Sequence, residues 1–203
     1  MITGIEEKRG MMEVYADRCL LLRVRKKDFT KHPIRVGEEI DFDAYIDSLA
    51  SLQWNDAYEM ALTALDRSAK TEKQVRDMLS LKGFVTPVIE SVIEKLRKSR
   101  LLNDCAIAAR LAEAEMNRSE GVYAFKRKLM AKGISEEDAE NALSLLDEDQ
   151  QRGAAESAAQ KLYKKYEALP RYEARQKLSQ ALARRGFSWE IVQETVEKIM
   201  GEE

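Results

Sequence analysis

Three short stretches of this chain end the same way, and that ending constrains the fold more than any other feature. They are Leu79-Ser-Leu-Lys82-Gly83-Phe84, Leu129-Met-Ala-Lys132-Gly133-Ile134 and Leu182-Ala-Arg-Arg185-Gly186-Phe187. Each reads as a helix stop. An apolar residue stands one turn before the end, a cation closes the last turn, and glycine supplies the left-handed backbone that the reversal needs. The apolar residue that follows folds back onto the first. The cation also offsets the negative end of the helix dipole. The glycines fall 50 and 53 residues apart, so the chain reads as three copies of a unit of about fifty residues.

Each copy predicts three helices. Upstream of the stop, Val75 and Leu79, Phe125 and Leu129, and Leu178 and Leu182 lie one turn apart on a single face, with Thr71 and Gln74 forming a capping box in the first copy. Downstream, Thr86-Pro87, Ser135 and Ser188 start a third helix after two or three residues. Its apolar positions are Ile89, Ile93 and Leu96, then Ala139, Leu143 and Leu146, then Val192, Val196 and Ile199. A first helix precedes each middle one, over residues 54–65, 104–116 and 151–166, with a stripe rich in alanine that lets helices approach closely. Trp54 and Trp189 read as core.

The first fifty residues differ. Residues 12–16 and 19–24 read as two strands around a polar Asp17-Arg18 turn, with residues 2–5 as a third strand. That turn is not the favoured Asn-Gly type, and Leu20, Leu21 and Leu22 break the apolar and polar alternation. The predicted fold is therefore mainly α: three tandem three-helix repeats in an elongated, curved array behind a small β-rich N-terminal segment. The expected divisions are 1–52, 53–100, 101–149 and 150–203.

Charge and chemistry narrow the function. Net charge is −2, which argues against a uniformly basic surface, but residues 134–156 carry eight acids against one base. Residues 161–187 carry eight bases against two acids, a segregation that suggests a charged partner. Candidate contacts are Lys82, Lys132, Arg184 and Arg185 at the helix stops, and Lys161, Lys164, Lys165, Arg171 and Arg175 in the basic segment, where Tyr163, Tyr166 and Tyr172 are interleaved. Dipole capping for the first set and a solvated helix face for the second are the plainer alternatives. The single His32 lacks a nucleophile partner, no glycine-rich phosphate loop with Lys and Ser/Thr occurs, and Cys19 and Cys105 show no metal-ligand spacing. Binding without a cofactor, a metal or catalysis is expected. Without a signal-like or membrane-length apolar run, a cytosolic monomer is the expectation.

Taken in order, the N-terminal sheet, Ala61-Leu-x-x-Leu65-x-Arg67-Ser68, the three helix stops, Leu102-Asn-Asp104 and the aromatic Trp189 after Arg184-Arg185-Gly186-Phe187 resemble the RecX regulatory proteins, modulators of the RecA recombinase. Ile107 departs from the family's tendency toward Phe after the aspartate. The resemblance covers essentially the whole chain. It implies a partner, the RecA nucleoprotein filament, whose groove the protein would fill while suppressing ATP hydrolysis and strand exchange, with single- or double-stranded DNA as a further contact. A stand-alone DNA-binding or scaffold protein is the alternative.

Overall fold

Gly83, Gly133 and Gly186 take φ of 80°, 83° and 84°, so all three stops have the left-handed backbone their sequence calls for. In each, the residue after the glycine donates its N–H back to the leucine carbonyl: Phe84 to Leu79 at 3.3 Å, Ile134 to Leu129 at 3.2 Å and Phe187 to Leu182 at 3.4 Å. All six side chains of these pairs are buried. Lys82, Lys132 and Arg185 occupy the same C-cap position.

The computed structural model describes residues 1–115 and 120–201. Their elements are β1 (Gly4–Lys8), β2 (Met11–Ala16), β3 (Cys19–Arg25), α1 (Lys26–Lys31), α2 (Phe42–Arg67), α3 (Glu72–Leu81), α4 (Thr86–Lys98), α5 (Asp104–Glu115), α6 (Val122–Ala131), α7 (Glu136–Leu143), α8 (Glu148–Tyr163), α9 (Arg171–Arg184) and α10 (Trp189–Met200). They divide into two compact units, Met1–Asn103 and Asp104–Glu203.

The first unit holds the sheet and one module. The sheet runs β1-β2-β3, antiparallel throughout. Both hairpins turn on two residues with positive φ, Arg9 and Gly10 at 52° and 75°, then Asp17 and Arg18 at 48° and 65°. This is the mirror-image turn that matches strand twist, built in the second hairpin without any glycine. Val14 pairs with Leu22 and Tyr15 with Leu20, leaving Leu21 as the extra residue of a bulge. The bulge accounts for the broken alternation at residues 20–22. The first strand covers residues 4–8 rather than 2–5; Ile2 lies before it, buried with Val14 and Ile34.

Helix α2 also corrects the sequence reading, since it starts at Phe42, twelve residues before Trp54. Asp41 caps it, its Oδ1 accepting from the N–H groups of Asp43 and Ala44 at 3.1 Å. Its later half supplies Ala57 and Ala61 to a core shared with Val75 and Leu79 of α3 and Val88, Ile89, Val92, Ile93 and Leu96 of α4. The capping box at the start of α3 is complete: Thr71 N–H donates to Gln74 Oε1 at 3.0 Å, and Gln74 N–H to Thr71 Oγ1 at 3.2 Å.

The second unit holds two modules, each with its own core. Ala108, Ala112, Phe125, Leu129, Ile134, Ala139 and Ala142 form one. Ala155, Ala158, Ala159, Leu178, Leu182, Phe187, Ile191, Val192 and Val196 form the other. Helix α5 follows the expected start at residue 104; its expected end at Met116 lies outside the described residues. Helix α8 begins three residues earlier than expected, because Asp147 Oδ1 caps it through the Asp149 N–H at 3.1 Å, and it ends at Tyr163, three residues early, in a run of turns.

Candidate interaction surfaces

The helix stops do more than end helices, because neighbouring elements are built onto them. In the second unit the start of α6 lies directly on the α9–α10 turn. Gly121 N–H donates to Arg185 O at 3.0 Å and Tyr123 N–H to Gly186 O at 2.9 Å. A Cβ on Gly121 would fall inside the backbone of Gly186 and Phe187, and one on Gly186 would strike Ala124. Backbone therefore meets backbone, which only glycine permits. Neither role of Gly121 was evident in the sequence, where nothing distinguishes it from a loop glycine.

In the first unit side chains cover the equivalent turn. Gln53, wholly buried on α2, accepts from Val85 N–H at 2.8 Å and donates to Asp28 Oδ2 at 2.9 Å. Arg25 Nε donates to the same Asp28 oxygen at 2.5 Å and its Nη1 to Asp56 at 3.0 Å, while the guanidinium lies 4.2 Å from the centre of the Phe84 ring. Hydrogen bonding from Lys27 holds the Asp56 carboxyl below the usual carboxylate range. Here the sequence reading needs a further correction. The N-cap of α4 is Val85 rather than Thr86, and Pro87 stands one residue deeper; Val85 lies two residues after the glycine, where Ser135 and Ser188 cap the other two copies.

Of the nine candidate cations, three repeat in position. Lys82 opens onto a groove of about 540 Å³ whose lining includes Arg67, Met60 and Met78. Arg185 lies half-buried at the α9 C-cap with Arg184 exposed beside it, and Lys132 holds the same cap position on α6.

The five between Lys161 and Arg175 are held in different ways. Arg171 Nη2 donates to Gly201 O at 3.0 Å and Arg175 pairs with Glu197 at 3.5 Å, so both are turned toward α10. Lys161 lies in the last turn of α8, Lys164 is its C-cap, and Lys165 stands beyond the helix, not on its face. Helix α9 has 14 residues, which separates the Lys164 end of this module from the Arg184 end by about 20 Å. Lys161, Lys164, Lys165, Arg184 and Arg185, together with Lys177, make no side-chain ion pair or hydrogen bond among the described residues. They leave a discontinuous run of cations without a partner among the described residues.

Aromatic residues gather near the Arg184 end. Trp189, expected in the core, is 61 % exposed because it occupies the first turn of α10 while Ile191 and Val192 fill the interior. Tyr123, whose N–H reaches Gly186 O, is 54 % exposed. Trp54 does pack against the first core, stacking on Tyr58 with ring centres 5.1 Å apart and donating to Ser91 Oγ at 3.0 Å. His32 is exposed, its carbonyl accepting from Tyr45 Oη at 2.8 Å, and burial pushes that phenol up to about 12. Among the described residues no group of three or more His, Cys, Asp and Glu could hold a metal ion, and no helix is long and apolar enough to cross a membrane.

Comparison with known proteins adds a second line of observation. Residues 57–96 match the first three-helix domain of RecX and residues 148–196 match its third. Regulatory protein RecX of Clostridium perfringens is 30% identical over 100% of this chain and 97% of its own length. That of Clostridium tetani is 32% identical over 84% of this chain and 79% of its own. A crystal structure of regulatory protein RecX superposes with a TM-score of 0.68 at 25% identity, covering 96% of this chain and 97% of that one. RecX from Lactobacillus salivarius gives 0.66 at 28% identity over 73% and 97%.

Proposed function

The chain belongs to the RecX family of regulatory proteins, and from that premise we propose that it restrains a RecA-type recombinase by lying along the groove of its nucleoprotein filament. Such a regulator acts by occupancy, lowering ATP hydrolysis and strand exchange without turnover or a cofactor of its own. We read it as a cytoplasmic monomer. Its working units are an N-terminal segment, 1–52, and modules over 53–100, 101–149 and 150–203.

The observation that carries this reading is the set of cations on the third module that have no partner among the described residues, spread over about 20 Å instead of clustered. A compact basic spot suits one phosphate or one acidic side chain, whereas a spread row suits an elongated polyanionic or acidic partner. Lys82, Lys132 and Arg185 extend the same logic, because the repeat presents a cation at the same helix end in every module. Arg171 and Arg175 contribute by orienting α9 against α10.

The test uses a RecA filament on single-stranded DNA. The protein should lower ATP hydrolysis and strand exchange, and unchanged rates at saturating concentration reject the reading. A Lys161→Glu, Lys164→Glu, Lys177→Glu and Arg184→Glu variant should need about tenfold more protein for half-inhibition, at an unchanged unfolding midpoint. The exposed Trp189 and Tyr123 beside Arg184 favour one second reading, direct binding of single-stranded DNA by stacking. Affinity for bare DNA that survives about 200 mM salt without any recombinase would favour it.

A further inference from the structure

In the first module, α4 packs against one flank of α2. Trp54 on α2 donates to Ser91 of α4, and Tyr58 stacks on Trp54. At about 100° per residue, Asp56, Met60, Thr63 and Arg67 stand on the opposite flank of the same helix. There α2 and α3 part to leave the groove of about 540 Å³ onto which Lys82 opens, with Met60 and Ala64 on one wall and Met78 on the other.

The matching positions of the third module are small and buried. Counted from the paired core alanines, Ala57 and Ala61 against Ala155 and Ala159, Met60 corresponds to Ala158; counted from the helix-stop glycine, Met78 corresponds to Ala181. Those two alanines are 1 % and 7 % exposed, whereas both methionines are only partly buried. Small residues let helices close up, and long, flexible thioethers stand between them. The first module thus keeps an apolar floor that its own helices leave open.

The rim of the groove carries a sign. Asp56 already binds two cations, Arg25 at 3.0 Å and Lys27 at 2.5 Å. Glu59 is exposed without a side-chain partner among the described residues, and so are Arg67 and Lys82. Two open cations against one open acid leave the rim net positive. Those cations stand at opposite ends. Arg67 lies in the last turn of α2, about 16 Å along the helix from Asp56, while Lys82 caps α3 next to Gly83, which lies against the Arg25 backbone. A groove walled by two helices, about three turns long, apolar in the middle and cationic at both ends, fits a further helix laid along it.

We propose that the α2–α3 groove of the first module takes an amphipathic helix of a partner protein, apolar along one face and bearing a carboxylate at each end. Lys82 also belongs to the cations proposed as recombinase contacts, but the groove stands on its own residues and its probe is a peptide, so neither result decides the other.

That probe is acetyl-Glu-Ala-Ala-Gln-Leu-Ala-Gln-Leu-Ala-Gln-Ala-Glu-amide, which sets two leucines between terminal glutamates on one helical face. It is titrated into the full-length chain labelled with carbon-13 at the methionine methyls. The Met60 and Met78 signals should shift, and that of the exposed Met130 in the second unit should stay in place. Arg67→Gln combined with Lys82→Gln should weaken binding about tenfold at an unchanged unfolding midpoint, since both side chains are exposed. Met60→Ala combined with Met78→Ala, which installs the residues of the third module, should weaken it at least as much. A peptide with glutamine for both glutamates should bind about tenfold more weakly. Unmoved Met60 and Met78 signals at millimolar peptide, equal affinity of the glutamine peptide, or equal affinity of the Arg67 and Lys82 double variant would each overturn the proposal. So would shifts of Met60 and Met78 that appear on raising protein concentration alone, which would assign the groove to a second copy.

Discussion

The α3–α4 turn at Gly83 and the α9–α10 turn at Gly186 share one backbone and are covered by different chemistry. At Gly186 the cover is main chain, held by the Gly121 and Tyr123 N–H groups, with a glycine required on each side. At Gly83 it is largely side chain, Met11 and Gln53, the latter accepting the Val85 N–H, with the Arg25 backbone nitrogen 3.2 Å from where a Cβ would stand. One repeat can thus be joined to what precedes it rigidly by backbone or adaptably by side chains.

Substituting the two glycines tests this contrast most severely. Gly186→Ala combines left-handed strain with a clash against the Ala124 backbone and should cost about 3 kcal/mol or more, whereas Gly83→Ala displaces mainly the flexible end of Met11 and should cost about 1–2 kcal/mol. Denaturant midpoints of the two variants should differ in that order, and equal losses would mean that the two covers are equivalent. A middle-sized effect is expected from Gln53→Leu, which leaves the buried Val85 N–H without a partner and Asp28 Oδ2 held by Arg25 alone, at a cost of about 2 kcal/mol. A loss confined to α3 and α4 in hydrogen exchange would locate it; no loss would remove the side-chain cover from the comparison.

The smallest effect separates the modules by pH. Arg76 on α3 binds Glu90 on α4 at 2.7 Å, and Lys126 binds Glu140 at 3.0 Å at the same distances from the glycine, but the third module has Ser179 and Gln193 there. Hydrogen bonding to Arg76 lowers the Glu90 pKa below its ordinary 4.5. The stabilisation is therefore present above about pH 4.5 and lost as pH falls through the depressed folded value. For so exposed a pair it amounts to a few tenths of a kcal/mol. Carboxyl NMR titration should show Glu90 titrating lower in the native chain than in an Arg76→Ala variant, and coincident curves would dismiss the bridge.

The same contrast explains what could be read from the sequence. Helix ends are written locally, in a glycine, a cation and two apolar residues within six positions, so all three stops and the cores they lead into were legible. The other half of each joint was not. That Gly121 receives a turn from another module, or that Gln53 accepts the Val85 N–H from 32 residues away in sequence, depends on tertiary approach with no local signature. Trp189 shows the same limit: hydrophobicity marks it for the interior, but its place in the first turn of α10 leaves Ile191 and Val192 to fill it. The candidate cations were identified by type, while their separation into two ends and an α10-facing pair emerged only from the fold.

Helix α2 has 26 residues and so is about 39 Å long, with Phe42 and Ile46 beside β3 at one end and Ala57 and Ala61 in the module core at the other. Anything that pulls on the sheet pulls on one unbroken rod. Force or displacement at the amino-terminal end would reach α4 without crossing a hinge, making the first unit a lever rather than two beads on a string.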